Sequence, residues 1–251
     1  MPRRSGSRLA MIYSSLAVVL TTATANLWRY QLSVRWRGPS PDRAVAMLGQ
    51  WSRRMWTYLR LNVQIDGQRP AEPRIYVANH RSYLDVPVLA GVLEATFLSR
   101  ADVATWPFIG ATARAIGAVF VERDDPHERI RAARALVRRV RSASVVAFPE
   151  GTTGGERLPA PFHLGLFRLA QRLGVPLVPV TLRYSDRRAY WTEDLTLWQH
   201  LRGRVYGGAP LVCAVHIGRE LPVRLHADGA SLARAAHAAV CAPIEEFGEL
   251  V

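Results

Sequence analysis

From Leu9 to Trp28 the chain carries no charge, with Arg3, Arg4 and Arg8 before it and Arg29 after it. A run of about 20 such residues is what a helix needs to cross a bilayer core. Ser14, Ser15, Thr21, Thr22, Thr24 and Asn26 dilute this one. The pattern predicts an uncleaved membrane anchor, ahead of a helix lying in the interface or a signal peptide cleaved near Ala23-Thr24-Ala25. Arg29, Arg35, Arg37 and Arg43 just downstream place the remainder on the cytoplasmic side of the inner membrane, although Arg3, Arg4 and Arg8 oppose that orientation.

From Asp42 to Arg60, Val45, Leu48, Trp51, Met55 and Leu59 recur at helical spacing, with Arg43, Arg53, Arg54 and Arg60 on the basic side. That stripe suits either a headgroup-level amphipathic helix or a helix facing a core. From Leu61 the period changes. Leu61, Val63 and Ile65 alternate up to Asp66-Gly67, as a strand before a turn. Strands follow over 74–78, 95–99, 117–121, 144–148 and 176–182, with two more within 204–217. Between them the pattern predicts helices over 82–92, 105–115, 126–141 and 162–173, and a last helix capped by Asp228 or Ser231 and reaching Phe247. Alternating strands and helices imply an α/β layered sheet flanked by helices. The boundary falls near residue 60, giving a membrane-associated helical segment (1–60) and an α/β domain (61–251).

Charge adds two constraints. The chain has 33 basic against 20 acidic residues, a net charge of +13. Arginine-rich codon usage or an anionic partner, such as a membrane surface, explains that excess. All the basic residues are arginine, so Schiff-base, pyridoxal-phosphate and Walker lysines are excluded. Cys213 and Cys241 lie far apart with no CxxC pair, and the histidines lack ligand spacing, so neither a metal nor a redox motif is expected.

The chemistry concentrates in Asn79-His80-Arg81-Ser82-Tyr83-Leu84-Asp85. On one continuous helix, residues five apart point about 140° away from each other. A strand ending at Ala78 and a helix starting at Ser82 instead put His80 on a turn, from which its ring can fold back to Asp85. A carboxylate on one ring nitrogen fixes the tautomer and leaves the other nitrogen to accept a proton, as alcohol activation requires. Phe148-Pro149-Glu150-Gly151-Thr152-Thr153 follows a buried strand, where ligand-binding residues of α/β sheets collect. There is no G-x-S-x-G elbow, so Ser82 reads as a cap rather than a nucleophile.

Together these segments resemble the glycerolipid acyltransferase family, that of the lysophosphatidic acid acyltransferases. Asn79-His80 through Asp85 is similar to its HxxxxD block. Gly117 to Arg123, Phe148 to Thr152 and Val175 to Val180 are similar to its later blocks, with Trp106 to Gly110 between the first two. The resemblance implies transfer of a fatty acyl group from acyl-CoA or acyl-carrier protein, as co-substrate, to a lysolipid hydroxyl, with no other cofactor. It implies His80 and Asp85 as catalytic residues, and Arg123, Glu150, Gly151, Thr152 and Arg100 as residues that bind substrate, with backbone amides near Gly151 as oxyanion donors. Membrane lipid and an anionic membrane surface are the implied partners, and nucleic acid is not one. The chain departs from the family in having Thr153 where arginine usually follows Glu-Gly-Thr, and His163 and Leu164 where a lysine is common. Both changes remove positive charge near the acceptor. A 1-acylglycerol-3-phosphate acceptor is the first expectation and a lyso-ornithine lipid the alternative. A non-catalytic basic protein that binds membrane or nucleic acid is the rival of another class.

Overall fold

The computed structural model describes residues 4–106, 109–122, 125–192, 196–200 and 209–248. Among them, seven strands form one sheet: β1 Leu61–Asp66, β2 Ile75–Ala78, β3 Thr96–Arg100, β4 Val119–Val121, β5 Val145–Ala147, β6 Leu177–Tyr184 and β7 Leu211–Ile217. Their spatial order is β1-β7-β6-β2-β5-β3-β4. All neighbours run parallel except β6 and β7, which pair antiparallel. The helices are α1 Arg4–Arg37, α2 Pro41–Tyr58, α3 Asp85–Leu93, α4 Ile109–Ala115, α5 Pro126–Val140, α6 Gly165–Leu173, α7 Leu197–His200 and α8 Gly229–Phe247.

The expected layered architecture is present, and its cause is visible in β2. Ile-Tyr-Val-Ala is apolar at every position and fully buried, as a central strand covered on both faces must be. Ile75 and Val77 enter a core with Ala132 and Leu136 of α5, Phe167 of α6 and Leu232 of α8. Tyr76 and Ala78 enter a second core with Met55 of α2, Leu89 of α3 and Tyr30 of α1. The sheet therefore separates α1–α3 from α5, α6 and α8. The helix expected from Thr105 is a 3-10 turn, Ala101–Thr105, followed by α4. Of the two strands expected within 204–217, β7 is observed, and residues 204–208 lie outside the described residues. Asp228 caps α8 as expected, in a reciprocal box with Ser231.

The N-terminal segment requires a correction. No helix among the described residues is long and apolar enough to cross a membrane, so the anchor expected over Leu9–Trp28 is not supported. The polar residues that dilute the segment are the reason. Two of them face α2, where Trp51 Nε1 donates to Thr22 Oγ1 at 3.1 Å and Asn26 Nδ2 donates to the Met47 carbonyl at 3.5 Å. Instead of a span, α1 folds back on α2 as a helical hairpin, closed where Arg43 donates to the Ser33 and Gly38 carbonyls. Leu20, Trp28, Leu32 and Trp36 stay exposed along α1.

α2 in turn holds α3, the helix that begins at Asp85. Trp56 Nε1 donates to the Pro87 carbonyl at 3.1 Å, and Arg53 donates to the Gly91 carbonyl at 2.7 Å. Gly91 permits this approach, because a Cβ there would lie 2.4 Å from Trp56 Cζ2. Gly91→Val should therefore destabilise the fold by about 1–3 kcal/mol through overpacking. A lowered urea midpoint at unchanged m-value would show it, and an unchanged midpoint would contradict the packing described.

Candidate active site

β2 ends at Ala78 beside β5 and β6. The side chain of Asn79 then fastens the chain to β6, donating to the Leu182 carbonyl at 2.9 Å and accepting from the Leu182 amide at 2.7 Å. This fixes where the turn carrying His80 begins. The turn is closed by Asp85, whose Oδ2 accepts the Arg81 and Ser82 amides at 2.6 and 2.9 Å. These bonds explain why the helix starts at Asp85 and not at Ser82, since residues 82–84 form a turn around that carboxylate.

His80 Nδ1 lies 2.8 Å from the same Oδ2. Tyr184, at the end of β6, donates its hydroxyl to Oδ1 at 2.7 Å. Asp85 is fully buried, while the His80 side chain keeps 19% of its surface exposed. The ring of His80 stacks on Phe148, with centroids 4.0 Å apart and an interplanar angle of 14°. Phe148 in turn stacks on Phe97 of β3 at 6.5 Å. Nδ1 thus faces a carboxylate, and Nε2 makes no hydrogen bond among the described residues. A neutral imidazole held in this tautomer can accept a proton from an alcohol. Burial, reinforced by the adjacent Asp85 carboxylate, holds the Tyr184 phenol well above the usual tyrosine range, so it stays a donor. Burial likewise pushes up the thiol of Cys213, the neighbour of Tyr184 across β6 and β7, and leaves it a poor nucleophile.

Glu150 occupies the other side of the turn. It is buried, and its two carboxylate oxygens accept the His80 amide at 2.7 Å and the Ala160 amide at 2.8 Å. Burial raises its pKa, and these two bonds oppose the rise. Through these contacts it holds the backbone of His80. Gly151 takes φ +83°, a conformation that favours glycine, and its amide closes a turn onto the Phe148 carbonyl at 3.1 Å. Thr152 is exposed just beyond. Arg100, at the end of β3, is exposed and paired with Asp102 through two bonds of 3.0 and 3.2 Å. Arg123 lies outside the described residues.

Two members of the site were not singled out from the sequence. Arg81 is buried to 1% exposure. Its guanidinium donates to the carbonyls of Gly154 and Arg157 at 3.3 and 2.8 Å and lies over the Tyr190 ring. The Gly154 amide returns a bond to the His80 carbonyl at 3.0 Å, so the loop after Glu150 is tied to the His80 turn from both directions. The second is Tyr184. An aromatic residue closing an apolar strand gave no sign of its carboxylate partner 99 residues away. Tyr83, inside the motif, contacts the buried His200 at 3.0 Å. No cluster of metal-ligating side chains occurs among the described residues.

The Acyltransferase family model matches residues 60–183. A lyso-ornithine lipid O-acyltransferase of Pseudomonas aeruginosa is 35% identical over 221 residues, 83% of each chain. A 1-acyl-sn-glycerol-3-phosphate acyltransferase of Neisseria meningitidis is 28% identical over 169 residues, 64% of this chain and 65% of that one. The crystal structure of the 1-acyl-sn-glycerophosphate acyltransferase PlsC of Thermotoga maritima superposes with a TM-score of 0.71 at 19% identity. That superposition covers 97% of this chain and 96% of the other, and it shows a common fold.

Tyr184→Phe should leave one oxygen of a buried carboxylate without its donor, costing about 1–3 kcal/mol of stability. Turnover should fall with KM little changed, because the loss acts through His80 orientation. Urea denaturation and steady-state kinetics test this, and wild-type values in both would remove Tyr184 from the site.

Proposed function

The chain belongs to the glycerolipid acyltransferase family, and from that membership we propose that it acylates a lysolipid bearing an amino-acid headgroup, of the lyso-ornithine type. The donor is a fatty acyl thioester, on CoA or on acyl-carrier protein. His80 Nε2 takes the proton of the lysolipid hydroxyl as its oxygen attacks the thioester carbonyl. Asp85 orients the ring and stabilises the imidazolium that forms. General-base catalysis of this kind contributes typically ~10²–10⁴ in rate. The observation that carries the reading is the 2.8 Å contact of His80 Nδ1 with a fully buried carboxylate, which leaves Nε2 as the proton acceptor.

Two features favour an amino-acid headgroup over a phosphate. Thr153 stands where the family usually has arginine, and Arg100 is neutralised by its bidentate pair with Asp102. A phosphate draws on unpaired guanidinium or ammonium groups, and these two positions offer none. The relative from Pseudomonas aeruginosa points the same way, since it matches across most of both chains. The 1-acylglycerol-3-phosphate acceptor, first expected from the motifs, therefore ranks second. Arg123 and Thr152 keep a proposed headgroup role through the family resemblance. Acylation of a lipid also places the chain at a membrane, the inner membrane in this reading. The exposed Trp28, Leu32 and Trp36 of α1, interspersed with Arg29 and Arg35, suit the headgroup level.

His80→Ala should lower transfer at least ~10²–10⁴-fold while leaving the fold intact. Incubating the wild-type chain with both donors and a panel of lysolipids, followed by mass spectrometry, should show acylated lyso-ornithine lipid ahead of phosphatidic acid. Thr153→Arg should shift that preference toward lysophosphatidic acid. Undiminished transfer by the His80 variant would end the assignment of the base, and a preference for lysophosphatidic acid in the wild type would end that of the acceptor.

A further inference from the structure

The helix α5 carries its arginines in two distinct ways. Arg139 points inward, donating to the Ile116 carbonyl at 3.2 Å and pairing with Asp42 at 3.4 Å. Arg131, Arg134, Arg138 and, just past the helix end, Arg141 are exposed. At 100° per residue these four fall within an arc of about 80°, and they span about 15 Å along the axis. The exposed Ile130, with 52% of its surface open, borders the same arc. Only Arg131 of the four has a carboxylate partner among the described residues, Glu128 at 2.8 Å. The outer face of α5 is thus a straight cationic ridge beside an open apolar side chain, while its inner face, Ala132, Leu136 and Val140, is buried.

The position of the ridge narrows what it fits. α5 follows directly on β4, whose last residue, Val121, is in register with Arg100 at the strand ends that also carry His80. The ridge therefore starts at the edge holding the candidate base and runs away from it. Its buried side enters the core on the face of the sheet opposite that of α1 and α2, while Arg139 reaches Asp42 at the start of α2. A ridge of this length exceeds a single phosphate group and matches the flank of an acidic helix.

We infer that the α5 ridge docks an acidic acyl-carrier protein, which delivers its tethered thioester over the strand ends to His80. The inference rests on the acyl-transfer reading above and adds the identity of the donor and its landing place. Charge complementarity fixes the approach of the carrier, and Ile130 supplies an apolar contact at the border of the charged patch. CoA, lacking a protein surface, does not use the ridge.

The test is steady-state transfer by the purified full-length chain, with an acyl-carrier-protein donor and with the matching acyl-CoA. The triple charge reversal R134E/R138E/R141E should raise KM for the carrier-protein donor by about tenfold or more. It should leave kcat, and KM for acyl-CoA, where they are in the wild type, with R134Q/R138Q/R141Q intermediate. An unchanged KM for the carrier protein overturns the inference, and so does an equal rise for acyl-CoA, or turnover with acyl-CoA alone. Loss of binding to anionic phosphatidylglycerol vesicles with carrier-protein KM unchanged would reassign the ridge to a bilayer. Should the wild type transfer from neither donor, the acyl-transfer reading itself fails. Fluorescence titration with holo-carrier protein then still decides the ridge, since binding weakened by the reversals supports it and binding unaffected by them overturns it.

Discussion

A carboxylate with no exposed surface is the constraint on which the rest of the site depends. Asp85 must replace its lost hydration, since an unpaired buried charge is too costly to keep. It does so with donors from two places in the chain: two backbone amides and a ring nitrogen from its own turn, and a hydroxyl from β6. Satisfying the charge dictates the shape of the turn, the start of α3 and the orientation of His80. The arrangement is supported from outside by Asn79 on β6, by Glu150 on the His80 amide, and by the guanidinium of Arg81 on the following loop.

The segments that carry chemistry sit where the topology brings strand ends together. β2 is flanked by β5 and β6 although β3 follows it in sequence. The strand that delivers His80 therefore lies beside the one that delivers Phe148 and Glu150, and beside the one that ends at Tyr184. Crevices at such strand ends are the usual ligand sites of open α/β sheets. The face bearing α1–α3 and the face bearing α5, α6 and α8 are then free to differ in character, and they do. One presents exposed tryptophans on α1 and the other the arginines of α5.

Much of this was legible in the sequence, for reasons that can be traced. The pairing of His80 with Asp85 follows from a strand-turn-helix reading over seven residues, because short-range geometry governs it. The central strands were readable because burial on both faces demands continuous apolar runs, as in β2. Long-range partners were not readable. An arginine such as Arg81 reads as a surface residue until the loop carbonyls that receive it are known, and nothing near Tyr184 announces Asp85. Glu150 was found by position, but its hold on the His80 backbone was not readable, because its burial depends on how two loops meet. The anchor expected over Leu9–Trp28 failed on a similar point. Thr22 and Asn26 look like dilution of an apolar run, and in the fold they are contacts to α2.

The placing of Asp85 on one side of the His80 ring has a consequence for the fate of the hydrogen ion. Three of the carboxylate's four donors fall on Oδ2, the His80 ring nitrogen among them, and the fourth, the Tyr184 hydroxyl, falls on Oδ1. A proton captured at Nε2 sits on the nitrogen turned away from that carboxylate, and the stacked Phe148 offers no onward route. In an acyl transfer at this site, what is taken from the alcohol must leave by the same door, handed to the departing sulfur. The two partners of the exchange would then meet one nitrogen in turn, on one side of one ring, and the enzyme would return to its starting state without borrowing from water.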